Sequence, residues 1–182
     1  KSVNMHHGRW FASKGYRVVN VNYTRNPEAD LRETIRELFQ VNTWIHEHAD
    51  EYGFDVDHVY LTGDSGGGHN VLLMAACQTD PEMKAWAGLP DNIYPYTRIA
   101  ATCPALHFDN WIKPKTFIEW LCHFMLLDSF KDEDYVKHVD YRYFMKKESY
   151  PYVFFFSTPD DYELGKHTMA AHEDLKKRGI AH

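Results

Sequence analysis

The feature that most constrains this chain is the run Gly63-Asp64-Ser65-Gly66-Gly67-Gly68-His69-Asn70. Before it stands His58-Val59-Tyr60-Leu61-Thr62, a short apolar run that predicts a buried strand. After it stands Val71-Leu72-Leu73-Met74-Ala75-Ala76-Cys77, strong helix formers with no breaker before Asp80-Pro81, which predicts a helix buried on most sides. A glycine-rich segment around one serine, between a strand and a helix, describes a sharp turn. Side chains two residues before and after Ser65 would collide in such a turn, which accounts for Gly63 and Gly67. The turn lifts the Ser65 hydroxyl clear of the sheet, where a base can reach it. It also leaves the Gly66 amide at a helix N-terminus, placed to stabilise an oxyanion. A phosphate-binding loop would need the P-loop lysine or G-x-G-x-x-G spacing, and neither occurs here.

The surrounding chain alternates strand and helix. Tyr16 to Tyr23, β-branched and aromatic, predicts a strand, broken by Asn26-Pro27. Asp30 with Glu33 three residues later marks a helix start, and Leu31, Ile35, Leu38, Phe39 and Ile45 follow at helical spacing. Arg98 to Cys103 and Tyr152 to Phe156 predict two further strands. Leu164 to Arg178 predicts a last helix, basic in its final turn and stopped by Gly179. The fold class is therefore α/β: one domain over residues 1–182, with a mostly parallel sheet and helices on both faces. Between the third and fourth strands lies an irregular aromatic-rich insert, roughly residues 105–150, in the position of a cap or lid.

GDSGG also surrounds the serine of chymotrypsin-like proteases. There a strand follows the serine in an all-β domain, and the histidine and aspartate precede it. Here a helix follows, and Ala170-Ala171-His172, which resembles the protease histidine site, comes after the serine inside a predicted helix. The α/β-hydrolase arrangement fits instead. Tyr52-Gly53-Phe54-Asp55 with Gly63-Asp64-Ser65-Gly66-Gly67-Gly68-His69 resembles the nucleophile region of the hormone-sensitive-lipase-like carboxylesterases, in which alanine is usual where Gly66 stands. Val19 to Glu28 resembles that family's strand and Y-R-x-x-P-E turn, with Thr24 interposed. Pro151 to Asp161 resembles the strand and loop that present its acidic residue.

The resemblance implies a serine hydrolase acting on carboxylic esters of esterase or lipase type, with Ser65 as nucleophile and Gly66 in the oxyanion hole. It implies Asp160 as the acid, with Asp161 as the alternative; either could instead cap the helix at Leu164. The histidine should follow the acid. His167 and His172 lie on the last helix, which leaves His182, at the start of an expected further strand, as the weakly placed candidate. His69 lies on the helix leading away from Ser65 and is expected to pack there. His6-His7-Gly8 resembles an H-G-G oxyanion loop, but too few residues separate it from the strand at Tyr16, so residues 5–14 are expected to be helical. The absent early and final strands, with Lys1 at the start, lead to the expectation of an internal piece of a longer hydrolase, incomplete at both ends.

Phe117, Trp120 and Phe124 in the insert are expected to line an acyl or aromatic pocket, or else to cover the sheet edge. No cofactor is implied, and the histidines show no metal-ligand spacing. The net charge of −6 argues against nucleic acid as partner. No apolar stretch is long enough to span a bilayer. Three widely spaced cysteines favour a reducing, cytoplasmic setting. The expected partner is a small-molecule ester, and the oligomeric state cannot be read. Alternatives are a prolyl-oligopeptidase-like peptidase, which shares the serine turn, and a non-catalytic hydrolase-fold binding module.

Overall fold

A computed structural model describes residues 5–106, 112–117, 119–120, 123, 129–158 and 164–182. Helix α1 (Met5–Ser13) is followed by α2 (Leu31–Glu47) and the short α3 (Ala49–Tyr52). Strand β1 (Tyr60–Asp64) leads into α4 (Gly66–Thr79), and α5 (Pro81–Trp86) precedes β2 (Arg98–Thr102). A 3-10 turn at Ser129–Lys131 opens α6 (Glu133–Val139) and α7 (Tyr141–Phe144). Strand β3 (Phe154–Phe156) and α8 (Leu164–Arg178) complete the described elements.

The expected capping box forms. Asp30 Oδ1 accepts from the Glu33 amide at 3.1 Å, and Glu33 Oε2 accepts from the Asp30 amide at 3.3 Å. Two of the helix's first amide donors thereby find partners. Ile35, Leu38, Phe39 and Ile45 form its buried face. Helix α4 is buried continuously from Gly68 to Cys77, because it packs against β1, β2, α2, α5 and α7. Helix α8 spans the predicted residues and ends at Gly179, whose φ of 70° is a left-handed stop.

The three strands are parallel in the order β1-β2-β3. Gly63 lies opposite Ala101, which lies opposite Phe155; Asp64, Thr102 and Phe156 form the next row. Helices α2 and α4 lie on one side. Helix α1 meets the other: the Cβ site of Gly8 is 3.6 Å from Val18, and the rings of Phe11, Tyr16 and Tyr60 run edge to edge.

Residues 16–23 differ from the expected strand. Val19, Val21 and Tyr23 do turn alternately onto the core, as in a strand, but the segment joins no ladder among the described residues. At its end, the Thr24 amide donates to Glu37 Oε2 at 2.7 Å, and Thr34 Oγ1 donates to the Thr24 carbonyl at 2.9 Å. Side chains of α2 thus take bonds that a neighbouring strand would make. The insert is also more regular than expected. Asp132 and Asp140 each accept an amide two or three residues on, starting α6 and α7.

Candidate active site

The turn from β1 to α4 holds Ser65 at φ 57° and ψ −119°, a conformation that a residue with a side chain rarely adopts. Such strain persists only where the surroundings over-determine it. Here they do. The Ser65 amide donates to the Thr102 carbonyl at 3.0 Å, while the Ser65 carbonyl accepts from His69 at 3.1 Å and from Ala105 at 3.3 Å. A Cβ on Gly63 would sit 2.2 Å from the Gly67 carbonyl oxygen, so no other residue fits there without moving the backbone. A Cβ on Gly68 would come within 2.9 Å of Thr102 O, which lets α4 pack tightly on the end of β2. At Gly66 a Cβ would meet nothing within 4 Å. The departure from alanine there is sterically neutral. Ser65 and Gly66 are both exposed. Gly66 N–H belongs to the first turn of α4, where amides lack intrahelical acceptors.

His69 packs, as expected. It is fully buried and edge-on to Phe144 at 5.8 Å. Burial pushes its pKa down to about 4, so the ring is neutral and works as a spacer rather than a base near neutral pH. Sequence reasoning missed the residues that grip the turn from outside. The Tyr23 hydroxyl stands 3.8 Å from the Cβ site of Gly67. Cys103, at φ 45°, bends the chain so that Ala105 reaches Ser65. Pro104, which marks the strand end, is the one sequence signal for that bend.

Asp160, Asp161 and Phe124 lie outside the described residues. His182 donates from Nδ1 to the Ile180 carbonyl at 2.8 Å, and its Nε2 lies 2.7 Å from His172 Nδ1. Its ring stacks on Phe155. Both ring nitrogens are therefore engaged, one with Ile180 and one with His172. His167 faces Glu119 at 3.8 Å, and both are buried. Glu119 also accepts from the Lys115 and Thr116 amides at 2.7 and 3.1 Å. His6 and His7 are exposed on α1. Phe117 and Trp120 stack at 6.2 Å with 75% and 52% of their surfaces exposed, so this turn of the insert shows its aromatics outward and buries its carboxylate. Among the described residues, no group of three metal-ligating side chains gathers, and no helix is long and apolar enough to cross a membrane.

The model of the BD-FAE family matches residues 1–173. "Probable carboxylic ester hydrolase LipM" of Mycobacterium tuberculosis is 31% identical over 93 residues, covering 51% of this chain and 20% of that protein. An acetyl esterase of Salmonella typhi is 30% identical over 70 residues, covering 38% of this chain and 22% of that protein. Among solved structures, esterase B from Lactobacillus rhamnosis superposes with a TM-score of 0.86 at 27% identity, covering 98% of this chain and 56% of that one. The chain thus spans about a fifth of those two relatives and 56% of that esterase.

Proposed function

Since the chain belongs to the BD-FAE family of α/β-hydrolases, we propose that it carries the nucleophile of a carboxylic ester hydrolase, of esterase or lipase type. The strained, exposed Ser65 between β1 and α4 is the observation that carries this reading. Ser65 Oγ attacks the ester carbonyl as its proton passes to an imidazole base, and the carbonyl oxygen takes the negative charge. The Gly66 amide donates to that oxygen. Collapse of the tetrahedral intermediate expels the alcohol, which receives the proton from the imidazolium. Water, deprotonated by the same base, then releases the acid and restores Ser65.

Asp160 is the carboxylate assigned to orient the base, with Asp161 as its alternative, since both follow β3 in the chain order Ser, Asp, His. For His182 to serve as that base it must give up His172 for the Ser65 hydroxyl. Phe117 and Trp120, with Phe124, are assigned to the acyl side of the substrate, supported by the outward aromatic surface of the insert. A free, buried Cys77 supports a reducing, cytoplasmic setting.

A fluorophosphonate probe tests the nucleophile. Labelling of Ser65, lost in Ser65→Ala, supports the assignment. A complete, folded protein that stays unlabelled would overturn it in favour of a non-catalytic hydrolase fold.

A further inference from the structure

We propose that Tyr23 is a further catalytic residue of the serine site: beside the Gly66 amide, its hydroxyl donates to the ester carbonyl oxygen as that oxygen turns negative. The proposal rests on Ser65 as nucleophile.

Two glycines of the turn have different surroundings. Gly63 is enforced, because a Cβ there would strike the Gly67 backbone. At Gly67 the Cβ direction leads elsewhere. Among the described residues, the one atom within 4 Å of its Cβ site is the Tyr23 hydroxyl, at 3.8 Å. In a helix the Cα–Cβ bond tilts toward the N-terminus. Gly67 is the second residue of α4, so the phenol stands at the helix end from which the first amides point. Ser65 caps that end without a side-chain hydrogen bond, and so uses up none of those donors. The Gly66 amide and the Tyr23 hydroxyl, placed beside successive residues, thus border the same open end of α4.

The state of the phenol points the same way. Its ring packs on the core with Val19 and Val21, yet its hydroxyl finds no hydrogen-bond partner among the described residues. A half-buried hydroxyl without a partner costs free energy that phenylalanine would avoid. A ligand oxygen accepting from it would offset that cost. Burial pushes the phenol's pKa above its ordinary 10, against a smaller downward pull from the Arg25 charge. The O–H is therefore intact near neutral pH and can donate.

Attack by Ser65 Oγ moves the carbonyl electron pair onto oxygen, which then has room for more than one donor. A donor held in place beforehand stabilises that charge without reorganising. Core packing holds the Tyr23 ring in this way. No proton is transferred from the phenol, which keeps its hydrogen through both tetrahedral intermediates.

A structure of the complete protein carrying a phosphonate on Ser65 tests the contact. The phosphonyl oxygen stands in for the oxyanion, and the Tyr23 hydroxyl should lie about 2.7 Å from it. A hydroxyl out of contact overturns the proposal. Kinetics test the role. Tyr23→Phe keeps the packed ring and should melt with the parent, while kcat for an acetate ester falls about a hundredfold and KM holds. The affinity of a trifluoromethyl ketone, which takes Ser65 as a tetrahedral oxyanion, should fall by the same factor, an effect that a merely structural tyrosine would not produce. An unchanged kcat, or a loss carried by KM or by melting temperature, overturns the proposal. A parent protein that fluorophosphonate leaves unlabelled is a different failure, that of Ser65 as nucleophile, and it removes the proposal as well.

Discussion

Ser65 stores backbone strain of about 1–3 kcal/mol at its positive φ. Glycine adopts that conformation freely, so Ser65→Gly should melt above Ser65→Ala while neither variant is labelled; scanning calorimetry on the pair checks this. Gly63→Ala should destabilise by about 3 kcal/mol, because the new Cβ meets the backbone of Gly67 rather than a yielding side chain. Gly66→Ala, with open space around its Cβ, should leave stability unchanged or raise it by about 0.5 kcal/mol. Denaturant midpoints of the two variants, measured side by side, separate these outcomes. His69 adds a pH dependence. Burial lowers its pKa from the ordinary 6.5 to about 4, so below pH 6.5 the unfolded chain takes up a proton that the folded one refuses. Its contribution is complete above pH 6.5 and is lost as pH falls toward 4, up to about 3 kcal/mol. Urea melts between pH 7.5 and 4 should lose that slope in His69→Phe. At this scale Gly63 was readable because it answers a local steric need, whereas the collision expected at Gly67 does not arise: a Cβ there would stand 3.8 Å from the Tyr23 hydroxyl, an ordinary contact. Tyr23 and Ala105 were not readable, since their contact with the turn is made across the fold.

Elements with local signals were the legible ones. Asp30 and Glu33 announce the start of α2, and Gly179 announces the end of α8. Gly179→Ala should cost about 1–2 kcal/mol, since its φ of 70° penalises a side chain. A fall in melting temperature without loss of Ser65 labelling is the expected result. Helices α6 and α7 carry readable caps in Asp132 and Asp140, but they run for only 7 and 4 residues among scattered aromatics, too short for a periodic pattern to stand out. The segment 16–23 has the alternation of a strand without the ladder. Alternation is set by which side chains face the core, whereas a strand also needs a partner, and composition does not supply one.

At the scale of the whole molecule, the sheet is covered unevenly. Tyr60, Phe154 and Phe156 keep 50%, 55% and 48% of their surfaces exposed, on the face opposite Phe155. The Phe154 and Phe156 rings lie 5.8 Å apart, and exposed apolar surface of this kind binds apolar probes. The chain should therefore enhance the fluorescence of an anionic naphthalene dye, and Phe154→Glu with Phe156→Glu should abolish most of that signal. Retention of the signal would place the exposed apolar surface elsewhere, with Phe117 and Trp120 as the next candidates. The alternating α/β order and the parallel sheet followed from the sequence pattern, and the superposition of 98% of the chain on esterase B agrees with them. Of the candidate site, the sequence displays most plainly Ser65 and Gly66, the proposed nucleophile and oxyanion donor, because they sit in one short motif; an acid and a base are brought to a serine by distant parts of a chain.

The bond from Ala105 to the Ser65 carbonyl joins the first residue of the insert to the proposed nucleophile itself. Insert and nucleophile are thus mechanically coupled: whatever shifts the start of the insert pulls on the serine's own peptide. Hydrogen exchange at the Ala105 amide would then act as a gauge of occupancy, slowing when a bound ester presses the two together and quickening when the product leaves.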